Sequence, residues 1–330
     1  MNKKIFTVLI IFLIGSSAIV IAANGSAPIL QFPVKCELNK DCWISEYPDD
    51  DPTQDRHDYT GGKRTTNSHL GTDIIIKDLN EMNKGVPVLA AASGIVTAVR
   101  DGVSDINVKE IGTNTVDKIG CGNAAVINLV NGWTNIYCHM RKGSVTVKNG
   151  DKISTGQRLG YVGMSGLAET PHLHFQVQHF KETVDPFTGN SLNTDDNTKS
   201  PLGRNNALIQ IKYYPAFIYN IGISDKDPNI MDLQSGKVVP VEINSNTPVI
   251  FLWADVFGLD NNDKIQFTIK DSRNANIIDK SFVLDKSNVR RFFTLKHEGI
   301  LKKGLYKATV ILHKPAKGFN CAKSIAFKIL

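Results

Sequence analysis

The stretch "NAAVINLVNGWTNIYCH", residues 123–139, decides the fold class of the chain. Two apolar runs flank Asn131-Gly132, a dipeptide that favours the type I′ turn of a two-residue β-hairpin. The pattern therefore predicts two antiparallel strands joined by a tight turn. In a regular hairpin of this kind, Cys138 would lie opposite residue 125.

The same pattern of short apolar runs and turns extends through residues 61–190. Short runs rich in valine, isoleucine and glycine alternate with turn signals, as in "GVPVLAAASGIVTAVRDG" at 85–102, "GSVTVKNGDKI" at 143–153 and "GQRLGYVGMSG" at 156–166. Short runs separated by turns are typical of antiparallel sheets. We predict an antiparallel β domain over residues 61–190, without helices of ordinary length.

A second β region follows a polar, turn-forming segment, residues 191–205, which we interpret as a linker. In "KIQFTIK" at 264–270 and "GLYKATVILH" at 304–313, apolar side chains recur at every second position. This alternation is typical of strands with one buried face. About seven such strands over residues 206–330 predict an immunoglobulin-like β-sandwich as an accessory domain. The predicted fold class is therefore all-β.

The N-terminus has the layout of a secretory signal peptide. Lys3 and Lys4 precede an uncharged apolar run, residues 5–22, and small residues follow it. We predict a signal peptide over residues 1–23 and an exported protein, periplasmic or extracellular. An uncleaved membrane anchor is the alternative, because an apolar run of this length can just span a bilayer.

The charge and the cysteines agree with export. A formal net charge of +6 suits an anionic polymer such as a bacterial wall, but it lacks the clustered basic stripe of a nucleic-acid binder. In an oxidising compartment we expect disulfides between Cys36 and Cys42 and between Cys121 and Cys138, with Cys321 left over. The second bridge requires a bulge or a displaced strand, because the regular hairpin register does not bring its two cysteines together.

Four histidines of the first region have contexts that suggest chemistry. In "PHLHF", residues 171–175, His172 and His174 point to the same face of a strand. In "SHLGTDIII", His69 precedes Asp73, which opens an apolar strand where an unpaired charge would be costly. The fourth is His139.

These residue types fit a catalytic zinc site. Zinc prefers imidazole nitrogen, carboxylate oxygen and thiolate ligands in a tetrahedron, and a catalytic zinc keeps one position for water. Two histidines and one carboxylate meet that requirement. The spare histidines would then serve proton transfer and charge stabilisation.

The motifs "HLGTD" (69–73), "YCHM" (137–140) and "PHLHF" (171–175), with glycine-rich runs between them, resemble in order and spacing those of the lysostaphin/LytM-type zinc metallopeptidases. Members of that family are bacterial enzymes that cut peptide bonds in peptidoglycan. The resemblance covers roughly residues 61–190. It implies an antiparallel β-sheet groove with one zinc ion at its floor.

The resemblance also implies a role for each residue of these motifs. His69, Asp73 and His174 correspond to the metal ligands, and His139 and His172 to the two catalytic histidines that do not bind the metal. One of these two would accept a proton from water and the other would steady the oxyanion. Tyr137 and Asn123 are weaker candidates for lining the groove.

The expected function is hydrolysis of peptidoglycan peptides by a secreted zinc metalloendopeptidase. Two alternatives stay open: a catalytically silent LytM-like regulator that activates another wall hydrolase, and a wall-binding or protein-binding role through the C-terminal sandwich. The sequence does not reveal which peptide bond is cut, nor the oligomeric state.

The polar segment 24–60 raises a separate hypothesis. In the family, a segment upstream of the first motif can lie in the groove, so residues 28–60 could inhibit the site, with Asp50 or Asn67 approaching the metal. The acidic run Asp49–Asp51 could also indicate a calcium-binding site. No EF-hand spacing follows it, however, so a solvated loop is the favoured interpretation.

Overall fold

The computed structural model describes residues 27–192, 201–202, 208, 210–234 and 242–330. Strands dominate this part of the chain, and its α-helices have at most six residues. The helices are α1 (Leu79–Lys84), α2 (Val108–Ile111) and α3 (Ile230–Gln234). The all-β fold class is confirmed.

The strands of the first region are β1 (Cys42–Glu46), β2 (Thr72–Ile76), β3 (Pro87–Leu89), β4 (Gly94–Arg100), β5 (Asn123–Asn128), β6 (Trp133–Met140), β7 (Lys152–Ile153), β8 (Arg158–Tyr161), β9 (His172–His179) and β10 (Glu182–Val184). Eight of them form an antiparallel sheet in the order β1-β2-β9-β6-β5-β4-β7, with β10 paired to β9. β3 and β8 form a separate two-stranded sheet.

The predicted hairpin is β5–β6. Asn131 and Gly132 have φ of 58° and 80°, the positive values that a type I′ turn requires at both central positions. Ala125 pairs with Tyr137, but the register then shifts, so that Asn123 pairs with Met140. This irregularity is the bulge that the Cys121–Cys138 bridge demanded, and the bridge is present, with 4.8 Å between its Cα atoms.

The other cysteine predictions are also confirmed. Cys36 and Cys42 form a disulfide, and Cys321 is a free thiol. Cys42 is fully buried at the start of β1, so this bridge ties the upstream segment to the edge of the first sheet.

The strands of the second region are β11 (Phe217–Ser224), β12 (Glu242–Ile243), β13 (Val249–Leu259), β14 (Lys264–Asp271), β15 (Asn276–Val283), β16 (Asn288–Glu298), β17 (Gly304–Lys314) and β18 (Phe319–Ile329). They form two sheets, one with the order β11-β13-β16 and the other with the order β12-β18-β17-β14-β15. Between the sheets lies an apolar core, and the predicted alternation holds: Ile265, Phe267 and Ile269 are buried, as are Ala308 and its neighbours at every second position.

The two regions meet at an aromatic cluster, defined as Trp43, Ile75, Phe217, Tyr219 and Phe257. Trp43 and Ile75 are register partners on β1 and β2. The other three members come from β11 and β13 of the second region. Burying these rings removes a large apolar area from water and therefore stabilises the contact between the regions.

Polar contacts reinforce this cluster. The Tyr219 hydroxyl donates hydrogen bonds to the carbonyls of Ile76 and Lys77, at the end of β2. Lys323 Nζ donates to the Tyr219 carbonyl at 2.7 Å and lies 5.2 Å from the centre of the Trp43 ring.

Some predictions fall partly or wholly outside the described residues. The signal peptide over 1–23 does so completely, and the linker over 191–205 largely does, so both stay predictions. Within the described ranges, the helices are too short and too polar to cross a bilayer. The apolar core of the first region, called the first core below, includes buried Leu202 and Leu208, and Tyr213 packs against it.

The acidic run is less solvated than expected at its first residue. Asp49 is 2% exposed, and its carboxylate accepts hydrogen bonds from the backbone N–H groups of His57 and Ser68. Asp50 is exposed. Asp49 therefore shapes the loop that leads to His69.

Candidate metal centre

Strand β9 carries the paired histidines as the sequence predicts. Leu173 and Phe175 are fully buried in the first core, so the alternate residues His172 and His174 face the other side of the sheet. Asp73 on β2 is the direct register partner of His174. Directly opposite residues of an antiparallel pair project to the same face, which brings the carboxylate beside the imidazole.

His69 reaches this site from the loop before β2. Ser68, with φ of 63°, turns the chain there. Gly71 allows the loop to lie close to β9, because a Cβ at that position would sit 2.5 Å from His174 Nε2. The glycine of the "HLGTD" motif is thus explained by close packing against the third candidate ligand.

Three potential ligand atoms converge. His69 Nε2 lies 3.2 Å from Asp73 Oδ1 and 3.1 Å from His174 Nδ1, and the last two atoms are 2.8 Å apart. Tetrahedral zinc with bonds of about 2.0–2.1 Å needs ligand atoms about 3.3 Å apart, so a small expansion of this triangle would accommodate the ion. The predicted ligands are together, and their chemistry fits zinc.

The hydrogen bonds around His69 support this fit. Its Nδ1 lies 2.8 Å from the Tyr47 carbonyl oxygen. A carbonyl oxygen cannot donate, so Nδ1 carries the proton and the lone pair of a neutral ring is on Nε2, the atom that faces the cluster.

Electrostatics also favour a cation at this point. Burial lowers the pKa of His69, but the Asp73 carboxylate, together with Glu46 and the Tyr47 carbonyl, raises that pKa to about 9. Burial raises the pKa of Asp73, but His69 and His172 hold it well below its ordinary value. The cluster therefore stabilises a positive charge where the three ligand atoms meet, whether that charge is a proton or a metal ion.

His139 enters the site because of the bulge. Strand alternation would place it on the same face as buried Tyr137, but the register shift and its φ of 60° turn it the other way. Its ring centre lies 4.6 Å from that of His172 and 5.9 Å from that of His174.

His139 and His172 are oriented in the same manner. His139 donates its Nδ1–H to the Ser165 carbonyl oxygen and His172 donates its Nδ1–H to the Thr170 carbonyl oxygen, each at 2.8 Å. Each neutral ring therefore presents the lone pair of Nε2. His172 Nε2 is also 3.7 Å from Asp73 Oδ2. Burial, together with the neighbouring histidines, holds the pKa of His139 well below its ordinary value, so this ring is neutral near pH 7.

All five predicted site residues line one cavity of about 560 Å³. Tyr137 and Asn123 do not line it: both are fully buried, and the Tyr137 hydroxyl accepts a hydrogen bond from the backbone N–H of Ala91. These two weaker candidates belong to the core.

The upstream segment reaches the cavity through β1 and not through the residues named in the inhibition hypothesis. Ser45 and Glu46 line the cavity, whereas Asp50 and Asn67 do not. Glu46 is the register partner of Asp73, and its Oε2 is buried without a hydrogen-bond partner among the described residues. Burial and the Asp73 carboxylate raise the pKa of Glu46. No local motif marked this residue.

Three further lining residues come from the second region. They are Phe257 of β13 and Val289 and Arg290 of β16. They are remote in sequence from the histidine motifs, so only the tertiary packing reveals them.

Comparison with known proteins agrees with this geometry. Residues 67–186 match the model of Peptidase family M23, so the resemblance to the lysostaphin/LytM type is confirmed for this segment. Among curated relatives, the peptidoglycan DD-endopeptidase ShyA of Vibrio cholerae is 31% identical over 33% of this chain and 20% of its own length. The DD-carboxypeptidase/endopeptidase Mpg of Neisseria meningitidis is 30% identical over 31% of this chain and 20% of its own length. The matched part therefore spans about a fifth of these relatives.

Two solved structures are also similar to part of this chain. The catalytic domain of lysostaphin from Staphylococcus simulans is 25% identical, with 43% of this chain and 85% of that chain covered and a TM-score of 0.27. A zinc-containing peptidase from Vibrio cholerae is 24% identical, with 48% and 39% covered and a TM-score of 0.33.

Proposed function

We propose that the protein is an exported zinc-dependent endopeptidase that hydrolyses peptide bonds of bacterial peptidoglycan. The observation that carries the proposal is the convergence of His69 Nε2, Asp73 Oδ1 and His174 Nδ1 within 3.2 Å of one another, at the wall of an open cavity. The match of residues 67–186 to a peptidase family supports it.

His69, Asp73 and His174 would hold one zinc ion. When bound, zinc supplies a Lewis acid that polarises a carbonyl group and makes water acidic enough to act near neutral pH. The Tyr47 carbonyl fixes the His69 ring in the tautomer that ligation needs.

His139 and His172 would move the protons. Both rings are anchored through Nδ1–H and present Nε2 to the cavity side of the site, so either can accept a proton there as a general base. A ring that carries this proton becomes an N–H donor, which can stabilise negative charge on the substrate oxygen. Asp73 Oδ2, 3.7 Å from His172 Nε2, would lie beside the proton that this nitrogen takes up.

The test is digestion of purified sacculi with the mature protein and mass analysis of the fragments. Walls with direct D-Ala–diaminopimelate cross-links and walls with pentaglycine bridges are compared, and metal content is measured on the same sample. We expect new peptide termini with one wall type, about one zinc per chain, loss of activity with a chelator and recovery with zinc. Absence of cleavage of both walls by zinc-loaded, folded protein would refute the proposal.

A further inference from the structure

The cavity at the candidate metal centre has walls from both β regions. Asp73, His172 and His174 belong to the first sheet, while Phe257, Val289 and Arg290 belong to the second region. The residues from the second region lie outside the segment that matches the peptidase family. The cavity is therefore incomplete if that segment is considered alone.

Strand alternation explains why the second region lies beside the site. On β2, Ile74 and Ile76 belong to the first core, so Asp73 and Ile75 project from the opposite face. Ile75 and its partner Trp43 contact the second region through the aromatic cluster. The second region thus covers the same sheet face that carries the candidate ligands.

Hydrogen bonds and ring packing hold the part of the cavity wall that the second region forms. Arg290 makes two hydrogen bonds to the Asp255 carboxylate, one of them from Nε at 2.9 Å, and its guanidinium packs over the Phe257 ring at 5.1 Å. Phe257 in turn stacks on Phe217, with 4.9 Å between ring centres. A paired guanidinium packed against aromatic rings is a rigid surface.

Val289 is the aliphatic member of this wall and is partly exposed. Leu70 and Leu167, which are 44% and 52% exposed, line the same cavity. Apolar side chains around a polar centre favour a ligand that places small aliphatic groups beside the reacting bond, because each methyl group removed from water adds to binding.

We infer that the C-terminal sandwich forms part of the substrate-binding surface, and that Val289 selects peptides with a small aliphatic residue, such as alanine, beside the scissile bond. This inference rests on the proposed function, whose substrate it narrows. It assigns the second region a role in specificity.

The experiment compares the full-length mature protein with the variants Val289→Trp and Val289→Ala. Val283→Trp is the matched control, because Val283 is 67% exposed on the same sandwich and does not line the cavity. Cross-linked peptides with alanine and with glycine beside the scissile bond are used as substrates. Kinetics, calorimetric binding, metal content and thermal unfolding are measured for each protein.

We expect wild-type protein to prefer the alanine peptide by about fourfold, the value of one buried methyl group. Val289→Trp should raise KM for that peptide by about tenfold and leave kcat and metal content unchanged, since bulk in a binding site acts at this scale. Val289→Ala should reduce the preference for alanine. Val283→Trp should behave as wild type.

An unchanged KM and an unchanged preference in both Val289 variants would overturn the inference. If Val289→Trp does not fold, the change in preference is measured on Val289→Ala, which removes only two methyl groups. Binding is measured separately from cleavage. A protein that binds the peptides with the expected preference but does not cleave them would therefore support the role of the second region in binding and refute the proposed peptidase activity. A protein that neither binds nor cleaves them would refute both.

Discussion

The two β regions bury charged side chains in opposite ways. In the first region, His69, Asp73 and His174 turn potential metal-ligand atoms toward one another at the edge of a cavity. In the second region, the buried Lys314 ammonium donates hydrogen bonds to the Gly258 carbonyl and to the carboxylates of Asp260 and Asp263. The positive charge of the first cluster can be exchanged through the cavity, whereas that of the second is a side chain of the protein itself.

This difference separates a ligand site from a structural network. Lone-pair atoms that converge need a positive charge between them, and at the wall of a cavity either a proton or a metal ion can supply it. An ammonium ion surrounded by three acceptors makes all its hydrogen bonds within the protein and needs no external ligand. Buried charged residues therefore indicate a candidate ligand site in the first region and a structural hydrogen-bond network in the second.

The largest expected effect comes from His174→Ala, which breaks the first cluster. Two ligands remain, and we expect zinc to be lost and wall-lytic activity to fall below detection, because three protein ligands are needed to hold a catalytic zinc. Metal analysis and sacculus digestion measure these losses. Retention of about one zinc per chain in this variant would contradict the ligand assignment.

His172→Ala sharpens the comparison within the first region, because His172 lies on the same strand face but outside the ligand triangle. We expect metal content to be unchanged and kcat to fall about 10²–10⁴-fold, the usual contribution of a general acid or base. His179→Ala, at the far end of the same strand, is the control. Equal metal loss in His172→Ala and His174→Ala would return both histidines to the role of ligands.

Lys314→Met tests the second, closed cluster. The variant leaves Asp263, which is 2% exposed, without its cation, and we expect a loss of about 3–5 kcal/mol in the free energy of unfolding. Denaturant titration measures the loss, and Lys317→Met, on the exposed turn nearby, is the control. Zinc content of the folded variant should be unchanged; a variant as stable as wild type would show that the network is dispensable.

Asp185 is an intermediate case: a buried carboxylate of the first region that forms no salt bridge with the part of the chain that the structure describes. Its Oδ1 accepts backbone N–H groups from Phe187 and Thr188, and its Oδ2 has no partner among the described residues. Burial raises the pKa of Asp185 to about 7, from 3.8. The folded state therefore binds the proton more tightly than the unfolded state, and this contribution to stability is complete below about pH 4 and lost as the pH rises to about 7.

The change Asp185→Asn removes this titration. Relative to the variant, wild-type protein should lose stability between about pH 4 and pH 7, by at most about 1.4 kcal/mol per pH unit. Denaturant titrations of both proteins across this range give the difference. A difference that does not vary with pH would mean that Asp185 stays ionised in the folded protein.

Local patterns sufficed for much of the site. The paired histidines follow from the two-residue period of a strand, and the Asn131-Gly132 turn follows from its own backbone preference. The alternation in β14 and β17 revealed which side chains are buried, because one face of each strand meets the core. Each of these inferences depends on residues close together in the chain.

Other parts of the site depend on contacts between distant segments. Simple alternation would have placed His139 in the core, and only the bulge brings it to the cavity. Glu46 enters because β1 pairs with β2, and Val289 because the second region packs on Trp43 and Ile75. No short-range period encodes such contacts, and the inhibition hypothesis, which rested only on the position of the upstream segment, named Asp50 and Asn67, neither of which lines the cavity.

The Cys121–Cys138 bond links the geometry of the site to the redox state of its surroundings. Cys138 immediately precedes His139, and the backbone N–H of His139 donates to the Cys121 carbonyl at 2.8 Å. The covalent bond thus clamps both sides of the bulge that aims this histidine. A reductant would release this clamp without changing any of the proposed metal ligands, so we expect metal content to be retained while the backbone that carries His139, the proposed proton-transfer group, loses one constraint. We therefore expect the described orientation of His139 to depend on an oxidising environment, in which the bond can form.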